Sequence, residues 1–210
     1  MSRLRARAAQ APADEASDQN TRSRILAAAM EEFAANGSSG ARVEKIARAA
    51  HVNIRMIYYF FGSKKGLLNE VLSQIFRERQ ASLPVEFETA EDLLVSYFDG
   101  YARDPDRVRL LLWEALETAL PDDVDQLTNL AERKAVVKRR VAAIAELQAK
   151  GRLPADLDPK LLYLAFAAMA LFPMSFPPSV LVATGADAAS PAFRRRYRKF
   201  LGELASALAR

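Results

Sequence analysis

Apolar side chains recur at three- and four-residue spacings along most of the chain, the period of helices with one buried face. Residues 21–36 place Ile25, Leu26, Ala29, Met30 and Phe33 on one stripe, which Asn36 and Gly37 end with types that accept a left-handed cap. Val43, Ile46, Ala47 and Ala50 then share a face in a helix of about two turns. His51, Val52 and Asn53 interrupt, and residues 54–61 resume the pattern with Ile57 and Phe61 four apart, facing the core side of Val52. Two short helices crossing steeply through so tight a turn need a small residue where they touch, which Ala47 supplies, while Asn53 can cap the second. The pattern predicts a helix-turn-helix.

Ser63 is placed to cap a longer helix with the apolar stripe Leu67, Leu68, Val71, Leu72, Ile75 and Phe76, and Leu83-Pro84 ends the first unit. Because no flexible linker intervenes, this helix should join the two domains stiffly. Beyond it, Asp104-Pro105, Asp158-Pro159 and Ser190-Pro191 each pair a capping residue with proline at the first helical position. Helices are predicted near 90–102, 106–119, 123–150, 160–176 and 191–208, with Gly151 stopping the third. The fold class expected is all-α: an N-terminal three-helix helix-turn-helix domain and a larger C-terminal helical domain. The expected organisation is a disordered arm over 1–19, polar and alanine-rich, then domains over 20–66 and 67–210.

Composition narrows the chemistry. With no cysteine, disulfides, thiolate zinc sites and a cysteine nucleophile are excluded, which fits a reducing cytoplasm. His51 is the only histidine, and no nucleophile–base pair, metal set or phosphate loop accompanies it, so neither an enzyme nor a cofactor is expected. Residues 161–186 carry no formal charge and exceed the roughly 20 residues that span a bilayer. Pro173, Pro177 and Pro178 would leave backbone groups unpaired in lipid, so a buried or interface helix is expected there rather than a membrane span.

Charge changes the picture most. The net charge is only +4, yet residues 1–80 hold 13 Lys/Arg against 8 Asp/Glu, while residues 81–210 hold 17 against 18. Within 41–65 stand six cations, Arg42, Lys45, Arg48, Arg55, Lys64 and Lys65, against Glu44 alone. Crowded with Tyr58, Tyr59, Phe60 and Phe61, they describe a surface suited to a large, flat, negative partner.

Thr21, Ile25, Leu26, Ala28, Ala29, Phe33, Ala34 and Gly37, then Val43, Ile46, Ala47, Ala50 and Val52, then Ile57, Tyr58, Tyr59, Phe61, Ser63, Lys64 and Leu67 stand in an order and spacing that resembles the TetR family of bacterial transcriptional regulators. The match covers about 47 residues across three helices, which is far more specific than a lone helix-turn-helix pattern. The resemblance implies that residues 54–60 form a recognition helix entering the major groove. Arg55 becomes the candidate base reader, able to bond guanine O6 and N7 together, with a phosphate contact as the alternative. Met56, Tyr58 and Tyr59 take positions that reach bases or phosphates, with one tyrosine able to serve the core instead. Asn53 and Lys64 lie at helix starts that face the backbone, and Arg42 and Lys45 flank it.

Departures from the family pattern also matter. His51 stands where glycine is usual in the tight turn and must take a strained backbone. Asn53 replaces a serine cap, Phe60 an often polar residue, and Ala41-Arg42 lack the hydroxyl that commonly caps the second helix, leaving Ser39 or water to satisfy its first amides. From residue 81 onward the resemblance is architectural only, implying a domain that binds a small molecule and dimerises. Candidate pocket residues are Tyr97, Tyr101, Trp113, Glu117, Met169 and Phe172, with Glu114 or Glu117 able to meet a cationic ligand. A dimer interface is expected from Leu161, Leu164, Ala168, Phe193, Tyr197, Phe200 and Leu204. The function implied is a cytoplasmic homodimeric repressor on a palindromic double-stranded DNA operator, released by a small-molecule effector. The alternative is an activator or architectural DNA binder without an effector.

Overall fold

The computed structural model of the chain describes residues 2–81, 84, 86–117 and 129–208. Among them are ten helices and no strand. Helix α1 (Ser2–Gly40) is broken at Gly37, whose φ of 68° marks the expected end of the first apolar pattern. The helix starts at Ser2 and so includes residues 2–19 of the arm expected to be disordered. Alanine and arginine, the commonest residues of that stretch, carry a low intrinsic cost of entering a helix.

Helix α2 (Val43–Ala49) packs on α1, and α3 (Ile54–Phe61) on α2. Ile25, Ala29, Phe33, Ile46, Ala47 and Ile57 are buried on the predicted faces. Helix α4 (Lys64–Ala81) begins at the Ser63 cap, whose Oγ accepts from the Gly66 amide at 2.9 Å. The chain divides into two compact units within α4, one ending at Gln74 and the other beginning at Ile75. That limit lies beyond the expected one at 66 because the first turns of α4, with Leu67, Val71 and Leu72 buried, belong to the first unit.

The second unit contains α5 (Ala90–Ala102), α6 (Pro105–Glu117), α7 (Leu130–Ala149), α8 (Pro159–Ser175), α9 (Pro177–Thr184) and α10 (Pro191–Leu208). Helix α5 is its axis, packed on α8 and α10, while α7 also lies on α8. Leu93, Leu94, Tyr97 and Phe98 from α5 meet Ile144, Phe166, Ala170 and Leu201 in one core, each large apolar side chain contributing about 1.5–3 kcal/mol by burial.

All three proline starts hold. Asp158 accepts from the Lys160 amide at 2.7 Å, Asp104 from Arg107 at 3.3 Å, and Ser190 from Phe193 at 3.2 Å. Gly151, at φ 67°, ends α7. The residues between 117 and 129 through which the predicted helices 106–119 and 123–150 would extend lie outside the described residues.

Helix α9 is not among the predicted elements. Pro177 and Pro178 break α8 but occupy the first turn of α9, where a locked φ and a missing amide hydrogen carry no penalty. Among the described residues no single helix is long and apolar enough to cross a membrane; α8 and α9 reach that length only as a pair bent by 88°.

Candidate nucleic-acid interface

Helix α3 divides its faces cleanly. Ile57 is fully buried and Phe61 half-buried, while Arg55, Tyr58 and Tyr59, spaced three and four apart, lie exposed on the other side. Tyr58 is 47% exposed and Tyr59 73%, so neither tyrosine belongs to the core. Met56 is half-buried beside them. The Asn53 side chain caps the helix, accepting from the Arg55 amide at 2.9 Å and thereby fixing the backbone that carries the arginine. The three consecutive rings of Tyr59, Phe60 and Phe61 pack edge-on or tilted, with centroids 5.1 and 6.2 Å apart.

The turn before α3 takes the strain its sequence predicts: His51 has φ 54°, and the Val52 amide donates to Ala47 O at 3.0 Å. At the start of α2, Arg42 makes no side-chain cap. Its amide instead donates to Glu32 Oε1 at 3.1 Å, and the same carboxylate lies 3.9 Å from Lys45 Nζ. Glu32 on α1 thus does at this helix start what Ser39 or water was expected to do. Arg42 and Lys45 remain exposed. Lys64 is half-buried and donates to Ser39 O at 3.3 Å, leaving Lys65 as the more exposed cation of the pair. Arg22 ties α1 to α4 through Glu70 at 3.2 Å and lies 5.7 Å from the Phe61 ring centroid. Exposed Arg42, Lys45, Arg48, Arg55 and Lys65 with two exposed phenols form a surface with N–H and O–H donors for phosphate oxygens and base edges.

The second unit holds a cavity of about 480 Å³ whose wall includes Tyr97 and Tyr101 of α5, Val108 and Leu111 of α6, and Arg140 of α7. Of the six pocket candidates only the two tyrosines line it. Met169 packs against the α5 core, Phe172 is exposed on α8, Trp113 is half-buried elsewhere and Glu117 is exposed. Glu114 is engaged with Arg133 at 2.5 Å, so it does not serve as an open acidic site. Sequence reasoning missed Arg140 because it closes the run Lys138-Arg139-Arg140, which reads as solvated charge. The available signal was its phase: Val136, Arg140, Ile144 and Leu147 share the buried stripe of α7. Burial pushes the Tyr97 hydroxyl pKa up to about 12 despite the opposing charge of Arg140, and desolvation also raises that of Tyr197.

Of the interface candidates, Leu161, Leu164, Ala168 and Phe200 are exposed, the first two at 63% and 59%. Phe193 corrects the expectation: it is buried within its own chain, with Val180 and Ala188, because α9 folds against the start of α10. Tyr197 is half-buried, stacks on Phe193 at 5.5 Å and donates its hydroxyl to Met169 O at 2.9 Å, and Leu204 is half-buried.

The family described as bacterial regulatory proteins, tetR family, matches residues 25–71, and the tetracyclin repressor-like C-terminal domain matches residues 91–205. The chain is 33% identical over 181 residues to the HTH-type transcriptional repressor SCO4008 of Streptomyces coelicolor, covering 85% of this chain and 92% of that one. It is 32% identical over 192 residues to the HTH-type transcriptional repressor NicS of Pseudomonas putida, covering 88% and 90%. Its fold matches that of the transcriptional regulator SCO4942 of Streptomyces coelicolor with a TM-score of 0.67 at 28% identity, over 88% of this chain and 97% of the other. A helix-turn-helix built on α2 and α3, a helical second unit and these likenesses over both parts agree: the chain belongs to the TetR family of bacterial transcriptional regulators.

Proposed function

We propose that the protein is a cytoplasmic repressor that binds a palindromic operator as a homodimer and leaves it when a small molecule occupies the second unit. The observation that carries the DNA-reading part is the exposed Arg55, Tyr58 and Tyr59 face on a capped helix whose opposite face is anchored by Ile57. Two relatives matched over most of the chain are named as transcriptional repressors. Arg55, near the N-terminal end of α3, reads a base edge, Tyr58, Tyr59 and Met56 contact backbone or bases beside it, and Arg42, Lys45 and Lys64 hold phosphates.

Dimerisation is supported by the apolar row of Leu161, Leu164, Ala168 and Phe172 on α8 and by Phe200 on α10, all exposed in the single chain. A second copy covering these faces gives the twofold pair of recognition helices that a palindrome requires. The cavity walled by Tyr97 and Tyr101 is the effector site of this reading, and its volume lies within the range of small-molecule pockets. An effector that binds only the conformation with wrongly spaced recognition helices releases the DNA by differential affinity.

Fluorescence anisotropy on operator duplexes with single base changes tests the reading. Arg55→Ala should lose about 1–3 kcal/mol of discrimination at one symmetric pair of positions. Lys64→Ala should weaken all duplexes alike and flatten the salt dependence. Unchanged affinity and base preference in Arg55→Ala would sink the assignment of α3.

A further inference from the structure

Arg140 is the only charged residue that is buried among the described residues, at 7% exposure. An arginine cannot shed its charge by losing a proton, so a buried one requires a counter-charge or a compensating dipole. The three carboxylates on the cavity wall are committed elsewhere: Glu78 and Asp104 to Arg107, and Asp99 to Arg198 at 3.1 Å. Arg140 makes no ion pair among the described residues, and its Nε–H finds no acceptor. Its guanidinium instead lies 3.9 Å from the centroid of the Tyr97 ring, a cation–π contact that offsets part of the desolvation.

The neighbouring Tyr97 hydroxyl is likewise buried, and with only the donor Arg140 beside it, its own proton finds no acceptor. Two orphaned donors, one of them permanently cationic, therefore stand together on the wall of a cavity of about 480 Å³. Buried donors left unmade are costly, and a site that keeps them is shaped for an acceptor that arrives from outside. Val108 and Leu111 face the same space and suit an apolar body.

We infer that the effector is a small organic acid whose carboxylate accepts from Arg140 and from the Tyr97 hydroxyl, with its apolar or aromatic part against α6. This rests on the effector reading above and adds the ligand's charge and the residue that reads it. A cationic ligand is disfavoured by the same geometry, since the buried charge it would meet is positive.

The test uses the full-length protein and five acids, benzoate, phenylacetate, 3-phenylpropionate, indole-3-acetate and octanoate, each against its own primary amide. Binding is followed by thermal shift and titration calorimetry. At least one acid should raise Tm and bind at least about 10-fold more tightly than its amide, the preference a charge-assisted hydrogen bond confers. Arg140→Met should weaken that acid by about 10- to 100-fold yet raise the Tm of the unliganded protein, because an apolar side chain of similar length replaces an uncompensated buried charge. A merely structural arginine would give the opposite Tm change. Arg140→Lys, which keeps the charge without the fork, should retain part of the preference for acid over amide and serves if the methionine variant does not fold.

The inference is overturned if amides bind as tightly as acids, if no acid binds, or if Arg140→Met lowers Tm and leaves acid affinity intact. Duplex binding measured on the same wild-type sample separates the two readings. Retained DNA binding with no acid bound sinks only this inference, whereas absent DNA binding sinks the regulatory reading whatever the acids do.

Discussion

The turn between α2 and α3 stores a strain that a single substitution should release. His51 sits at φ 54°, close to the centre of the left-handed region near +57°, where a β-carbon crowds the following carbonyl at about 1–2 kcal/mol. Its side chain is exposed and makes no hydrogen bond or ion pair among the described residues that a replacement would lose, and its amide bond to Arg48 O at 3.1 Å needs no side chain. Glycine removes the crowding but adds about 0.5–1 kcal/mol of chain entropy to the unfolded state. The net expectation for His51→Gly is a gain of about 0–1.5 kcal/mol. His51→Val, β-branched at the same φ, should lose about 1 kcal/mol or more. Urea unfolding followed by circular dichroism reads both, with midpoints moving in opposite directions at unchanged m. Equal midpoints for the glycine and valine variants would refute the argument that backbone strain, not side-chain contact, governs this position.

Asn53→Ala should cost about 1 kcal/mol in the same assay and weaken DNA binding, while Asn53→Ser, which keeps an accepting oxygen, restores most of both. Tyr97 gives a pH signature. Because its folded-state pKa is raised to about 12 from 10.0, the unfolded chain loses this proton first, so the associated stability is intact below pH 10 and is lost between pH 10 and 12. Tyr97→Phe should flatten that alkaline decline, measured by unfolding at pH 9 and 11.5, against a parent still carrying the other tyrosines. Leu164→Glu places a charge in the exposed α8 row and should shift the protein from dimer to monomer in sedimentation equilibrium, with loss of operator affinity but little loss of helicity.

What the sequence disclosed and what it hid divide along physical lines. Helix starts were legible because aspartate or serine before proline encodes a cap locally, and all three such pairs form the expected bonds. The positive φ of His51 was legible through the resemblance to the TetR family, which places this residue where glycine is usual in the tight turn. The two faces of α3 came from periodicity, which put Ile57 inward and Arg55 outward. Tertiary choices were not legible. Phe193 has the same apolar spacing whether it faces a partner copy or α9, and only the unforeseen α9 decides that it is buried at home. Arg140 looks like one of three solvated cations until the phase of α7 is fixed by Val136 and Ile144. Glu32 could not be assigned to the start of α2, since its partner amide lies ten residues away and depends on how the chain turns at Gly37.

The proposed function rests on sequence-specific reading of DNA by a twofold pair of α3 helices. Selection of bound duplexes from a random DNA library, with anisotropy on the enriched sequences at two salt concentrations, tests that claim most directly. The expected result is a palindrome with half-sites spaced by about one helical turn or a multiple, bound at the higher salt at least about a thousandfold above random duplex, and dependent on Arg55. No enrichment, with weak binding that vanishes as salt rises, would contradict it.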